Sequence, residues 1–199
     1  MFGLLSGNAS TVRLVGQKTV LRPPARSDEK QWIDVREESR DFLEFWEPTW
    51  PSDATTPAAF RRRLKKFSSD WRDGATYAFL IFTREDELLV GGITLSNVRR
   101  GVAQTGSVGY WMGKRFARNG YMAEAVQLTL DFAFDTLGLH RVEAACLPSN
   151  TPSRSLLLKS GFIQEGFARR YLKINGTWQD HVSFAILRTD PRLPSRESQ

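Results

Sequence analysis

Cysteine and histidine are nearly missing from this 199-residue chain: Cys146 stands alone, and His140 and His181 are the only imidazoles. One cysteine excludes an intramolecular disulfide framework and a multi-cysteine zinc site. A metal centre would have to rest mainly on carboxylates, and none is expected. No apolar run approaches the roughly 18 residues of a membrane span, and no signal-peptide pattern opens the chain. A soluble, cytoplasmic protein with no membrane partner is expected. Internal repeats, low-complexity blocks and long linkers are absent as well. Neither sign of charge dominates, with 28 Lys+Arg against 22 Asp+Glu and a net charge of +6. That excess favours an anionic partner, such as a nucleotide-like cofactor or an RNA-rich assembly, but is too mild to choose between them. What is present, 41% hydrophobic and 12% aromatic residues, is the composition of a folded globular protein. The length suits one domain, expected over 1–187, with a flexible tail over 188–199.

The local patterns set out an order of elements. Val12–Leu14 and Thr19–Arg22 read as two short strands. Ser27-Asp28-Glu29 offers an N-cap and an acidic first turn for a helix through Ser39. Pro57 suits the first position of a second helix, on which Phe60, Leu64, Phe67 and Trp71 form one apolar stripe. Arg61, Arg62, Arg63, Lys65 and Lys66 cover its other faces, either as a solvated surface or as a weak ribosome or rRNA contact. Strands follow over 76–83, 87–98 and 104–112, then a helix over 120–137, a strand over 140–147 and a short helix over 151–159. Asn175-Gly176, between strands over 162–174 and 177–187, is a strong two-residue hairpin signal. Consecutive strands imply antiparallel hairpins in a mixed sheet with helices on its faces, an α+β (mixed α/β) class. A doubly wound domain would need alternation throughout.

The stretch from Gly109 to Ala125 is the most informative. A strand ends, a short basic loop with a glycine follows, and a helix begins. Such a loop can aim several backbone N–H groups at one anion, the helix dipole adds partial positive charge, and Arg115 and Arg118 supply full charges. A pyrophosphate fits that description; so does a tight strand-to-helix turn whose arginines face water.

Arg115-Phe116-Ala117-Arg118-Asn119-Gly120 resembles the acetyl-CoA pyrophosphate loop of the GNAT acetyltransferases, with Arg118 standing where that motif has its first glycine. The element order also matches that fold. Within the family the chain resembles the RimJ/RimL group of ribosomal-protein N-terminal acetyltransferases. The pieces that match are Met1-Phe2-Gly3 with Val12-Arg13-Leu14, the stretch Phe42 to Pro48, Leu95-Ser96-Asn97-Val98 with Arg100-Gly101, His140-Arg141-Val142, Gly161-Phe162, and Tyr171-Leu172 through His181. The resemblance implies a mixed, mostly antiparallel sheet splayed between the family's strands four (104–112) and five (140–147), with helices on both faces. It implies acetyl-CoA as co-substrate, its pantetheine in the splay against the backbone of Trp111 and Met112. Arg115, Phe116, Ala117, Arg118, Asn119, Gly120, Tyr121 and Met122 would hold the pyrophosphate, and Asn150 a pantetheine amide. Read without the family, Asn150 is an ordinary loop or N-cap residue.

Amine attack on a thioester needs a neutral amine, a donor for the carbonyl oxygen and protonation of the leaving thiolate. The tyrosine acid of many GNAT enzymes falls on Leu157 and is missing. The group resemblance points instead to Ser153, which could equally cap its helix. The glutamate of some relatives falls on Ala145; Glu143, two residues earlier, faces the same side of the strand as a proton acceptor or as a partner for a nearby arginine. Phe42, Trp46 and Glu47 sit in an acidic and aromatic stretch that suits a cationic N-terminal peptide or simply packs on the domain. A chain α-amine with pKa about 7.7–8.0 is roughly one-third neutral near pH 7.5, whereas freeing a lysine amine costs about 4 kcal/mol. With no strong base visible, the α-amine is the easier acceptor. The implied reaction is direct attack in a ternary complex on the N-terminal amine, alanine first, of a small-subunit ribosomal protein, by a monomer or homodimer. A small-molecule amine or antibiotic acetyltransferase and a non-catalytic ribosome-assembly factor are the alternatives.

Overall fold

The computed structural model describes residues 12–192. The matches on Met1-Phe2-Gly3 and the tail beyond 192 lie outside the described residues. In chain order the elements are β1 (Leu14–Val15), β2 (Thr19–Arg22), α1 (Glu29–Glu38), α2 (Arg40–Leu43), α3 (Pro57–Arg72), β3 (Tyr77–Thr83), β4 (Leu89–Arg99), β5 (Thr105–Met112), α4 (Tyr121–Asp131), β6 (Arg141–Cys146), α5 (Thr151–Lys159), β7 (Ile163–Ile174) and β8 (Thr177–Leu187). The strands make one eight-stranded sheet in the order β1-β2-β3-β4-β5-β6-β8-β7. Hairpin-linked neighbours pair antiparallel, as short turns require. Only β5 and β6, joined by the α4 crossover, run parallel.

Period-two alternation divides the core between the two faces. Phe79, Ile81, Ile93, Leu95 and Val108 pack with Ala125, Val126 and Leu130 of α4 and Leu157 of α5. Leu80, Phe82 and Leu89 point the other way and meet Trp32 of α1 and Phe60 of α3. Helices therefore cover both faces of a mixed sheet, as the resemblance implied.

The apolar stripe of α3 seats as expected, with Phe60 buried and Thr56 Oγ1 accepting from the Ala59 amide at 3.2 Å as the N-cap. Asn175 and Gly176 take φ of 42° and 80°, the left-handed pair of a tight hairpin turn. Three local details differ from expectation. Asp28 stands at the N-cap position of α1 but its side chain does not cap that helix; it is buried, grips Arg22 at 2.6 Å and accepts from the Ala25 amide at 2.7 Å. The single-turn α2 follows α1 where loop was expected. The helix expected over 120–137 is α4 to Asp131 followed by a π turn over Phe132–Thr136.

Candidate active site

β5 and β6 pair over only three positions, Thr105 with Arg141, Gly106 with Val142 and Ser107 with Glu143. Beyond them each strand follows its outer neighbour. β5 stays with β4 as far as Met112 opposite Gly91, and β6 stays with β8 as far as Cys146 opposite Val182. The sheet therefore opens, and the facing edges of β5 after Ser107 and β6 after Glu143 lack a strand partner among the described residues.

Alternation along β5 sends its side chains to opposite sides of this gap. Tyr110 turns toward α4 and α5, and its hydroxyl lies 2.8 Å from Ser153 Oγ. Burial pushes the Tyr110 pKa up to about 12, against a smaller lowering by the Ser153 hydrogen bond. Cys146, on β6, is buried on the same side, and desolvation raises its thiol pKa while Ser153 opposes the rise. Ser153 does not cap α5. Asn150 does so, its Oδ1 accepting from the Ser153 amide at 3.1 Å, which leaves the Ser153 hydroxyl to Tyr110 and Cys146. Tyr110 is the residue the sequence reading passed over. Its signal was available in the alternation that sets it opposite Trp111, but nothing local announced a partner 43 residues away.

Trp111 turns to the other face. Its ring lies over Gly92, where a Cβ would come within 2.5 Å of the indole nitrogen, so the glycine is what lets the ring lie flat on the sheet. With Trp32 and Trp50 it surrounds Arg36, whose guanidinium carbon sits 5.0 Å from the Trp111 ring centroid, 5.3 Å from that of Trp32 and 4.2 Å from that of Trp50. Arg36 is only 3% exposed. Glu47 neutralises it, Oε2 accepting from Arg36 Nη2 at 2.6 Å and from the Trp50 indole at 2.8 Å. Glu47 is therefore committed to Arg36, while Phe42 is exposed on α2 and Trp46 stacks edge-on against Phe45 at 4.6 Å. The hairpin tip closes over this segment, with the Asn175 amide donating to the Glu47 carbonyl at 3.0 Å. His181, on β8, is buried 5.7 Å from Tyr171 centroid to centroid.

Glu143 marks the point where the strands part. Its carboxylate accepts from Arg141 Nε at 3.0 Å, and Arg141 also grips Glu165 through both terminal nitrogens. The two acidic partners raise the Arg141 pKa, Glu165 more than Glu143.

At the end of β5 the chain passes through a single 3-10 turn, Lys114–Phe116, into α4. No side chain caps α4; Gly120, at φ 84°, turns the chain into its first N–H groups. Arg118 also holds a left-handed φ of 67°, the conformation that suits the glycine it replaces. Arg118 and Asn119 are exposed, Arg115 reaches Glu38 at 3.4 Å and covers the Phe116 ring, and Tyr121 and Met122 are half-buried. The loop is tied to α1 by the Lys114 amide donating to Ser39 Oγ at 2.9 Å. From α4, Glu124 accepts from the Gln17 and Thr19 amides, both at 2.7 Å, and from Thr19 Oγ1 at 2.6 Å, binding α4 to the β1–β2 turn. Among the described residues no three His, Cys, Asp or Glu side chains converge, and no helix is long and apolar enough to cross a membrane.

The model of the family described as Acetyltransferase (GNAT) domain matches residues 18–163. The chain is 38% identical to the Bacillus subtilis protein named probable N-acetyltransferase YjcK, over 89% of this chain and 98% of that one. It is 33% identical to the Escherichia coli [ribosomal protein uS5]-alanine N-acetyltransferase, over 96% of this chain and 97% of the relative. Among solved structures, Mycobacterium smegmatis RimJ in complex with CoA-disulfide superposes with a TM-score of 0.81 at 32% identity, covering 85% of this chain and 81% of that one.

Proposed function

Because the chain belongs to the GNAT acetyltransferase family, we propose that it transfers the acetyl group of acetyl-CoA to the N-terminal α-amine of a ribosomal protein, alanine first. The observation that carries this reading is the gap between β5 and β6, with a hydroxyl pair on one side and an aromatic, charged cleft on the other. A donor entering from the α4–α5 face and an acceptor from the α1–α3 face can meet there without an acyl-enzyme.

The chain's own groups fit acetyl-CoA as donor. The unpaired edge of β5 around Trp111 and Met112 offers backbone partners to an extended amide chain, as an added strand would find. Asn150, fixed through its Oδ1, keeps its amide N–H groups for a ligand carbonyl. The uncapped start of α4, with the backbone of Phe116, Ala117, Asn119, Gly120, Tyr121 and Met122 and the charges of Arg115 and Arg118, suits a diphosphate. That the similar RimJ structure was solved in complex with CoA-disulfide supports a CoA-borne donor.

The amine nitrogen attacks the thioester carbonyl, the new C–N bond replaces C–S, one amine proton passes to Glu143 or water, and the sulfur leaves as a thiolate that then takes a proton from solvent. Tyr110 donating to Ser153 leaves the serine O–H free to face the leaving sulfur. A phenol at about 12 is a weaker acid than an ordinary thiol at about 8.5, so the pair stabilises the thiolate by hydrogen bonding rather than by full proton release. Glu143, at the vertex, takes the ammonium proton directly or through water, its carboxylate oriented by the Arg141 hydrogen bond. Glu47, Phe42 and Trp46 lie on the acceptor side, where Glu47 holds Arg36 in place.

The test is intact-mass analysis of an Ala-starting ribosomal N-terminal peptide containing internal lysines, incubated with enzyme and acetyl-CoA beside an α-blocked copy. One acetyl group on the free peptide alone supports the reading. Acetylation of the blocked copy moves the site to lysine and overturns it.

A further inference from the structure

The cavity beside Trp111, about 310 Å3 and on the face carrying α1 and α3, holds more positive charge than its own residues neutralise. Arg36, Arg63 and Glu47 are its charged lining residues. Both oxygens of Glu47 are directed at Arg36, at 3.3 and 2.6 Å, and one also takes the Trp50 N–H. That leaves Arg63, whose guanidinium lies 5.6 Å from the Trp32 ring and forms no ion pair among the described residues. Desolvation first, and the neighbouring Arg36 second, lower the Arg63 pKa against a smaller opposing effect of Glu47, although part of the side chain stays open to solvent. Arg36 itself keeps a buried Nε with no hydrogen-bond partner among the described residues. Two arginines against one carboxylate disfavour a further cation, so this is not where the acceptor ammonium sits. A planar anion between indole rings, reached by guanidinium N–H donors, satisfies the unused donors and the excess charge together.

Trp111 connects this cavity to the gap, since its ring walls the one while its backbone borders the other. An extended chain advances about 3.3 Å per residue. With its α-amine in the gap, its next few side chains come alongside the tryptophan.

We infer that the Arg36–Arg63 cavity is a carboxylate subsite of the acceptor cleft, taking an Asp or Glu side chain within roughly the first four residues of the acceptor. The inference rests on the reading of the acceptor as a protein N-terminus, and it adds sequence selectivity to that reading.

The test titrates the full-length protein with Ala-starting peptides that already carry the N-terminal acetyl group, following tryptophan fluorescence because Trp32, Trp50 and Trp111 line the cavity. Each peptide is paired with a copy in which one Glu is replaced by Gln, and the position is scanned. The Glu member of one pair binds about tenfold more tightly. Arg63→Gln brings that ratio toward one, whereas Lys65→Gln, on an exposed face of α3, preserves it. Equal binding of both members at every position overturns the inference, as does no binding of either, or a preference that survives Arg63→Gln undiminished. Turnover of the unblocked peptides reports on the other question. Acetylation of the α-amine with no acid preference leaves the proposed function standing and removes the subsite. An acid preference in binding without α-acetylation does the reverse.

Discussion

Tyr110 and Ser153 meet at 2.8 Å across the opening between β5 and the helix that follows β6. Both side chains are half-buried, and Tyr110 reaches no other hydrogen-bond partner among the described residues. Removing either member therefore leaves the other hydroxyl partly open to water.

For Ser153→Ala the expected result is a stability loss of about 0.5–1.5 kcal/mol together with a fall in kcat of about ten- to a hundredfold. Tyr110→Phe lowers kcat comparably with a similar stability change. The double variant is little worse in kcat than either single one, because both groups act on one sulfur. Chemical denaturation and single-turnover kinetics check the two halves separately.

The pH profile follows from the raised Tyr110 pKa. A group at about 12 stays protonated throughout the usable range, so the hydrogen-bond donor is not lost as pH rises. The acceptor becomes reactive as it loses its proton at about 7.7–8.0. kcat/KM should climb through that region and stay level to about pH 10. A falling limb below pH 10 would show that an acid other than Tyr110 is required.

Glu47→Gln breaks a buried charge pair from one side, leaving Arg36 without its carboxylate among three indole rings. The expected loss is about 3–5 kcal/mol. Phe42→Ala, at an exposed position on α2, should change stability by less than about 1 kcal/mol. Urea midpoints of the two variants decide whether this segment contributes through its acid or through its aromatic surface.

Glu124→Ala releases the Gln17, Lys18 and Thr19 amides together. The turn before β2 has few other polar anchors to α4, so a loss of about 1–3 kcal/mol is expected, with weaker CoA binding because α4 begins beside the Arg118 loop. Gly16→Ala should resemble it, since a Cβ there would press to 2.5 Å against the Glu124 carboxyl carbon. Thermal unfolding with and without CoA separates the two effects.

Arg118→Gly tests the loop. Glycine relieves a left-handed strain of roughly 1 kcal/mol but adds freedom to the unfolded chain, so stability should change little. CoA affinity falls where the guanidinium contributes more than the backbone, and calorimetric titration reads the difference directly.

Features written locally were legible in the sequence. The Asn175-Gly176 turn, the stripe of α3 and the basic loop before α4 each follow from residues close together in the chain, and each stands where its pattern put it. The cleft chemistry was less accessible, because it depends on side chains that meet only after the sheet is assembled. Glu44 and Glu47 read as an acidic rim, yet Arg40 and Arg36 from the preceding helices occupy them. Arg36 carried no local sign of burial; its cage draws Trp32, Trp50 and Trp111 from three separate elements. Glu143 and its arginine were a legible pair, being two residues apart on one strand face.

The three-position seam between β5 and β6 makes the sheet mechanically two plates, one built from β1–β5 and one from β6–β8. A donor lodged between them would act as a keystone, bonding to both plates at once. Amide protection should then rise on either side of the opening when CoA binds, and the molecule would be stiffest at the moment it is ready to react.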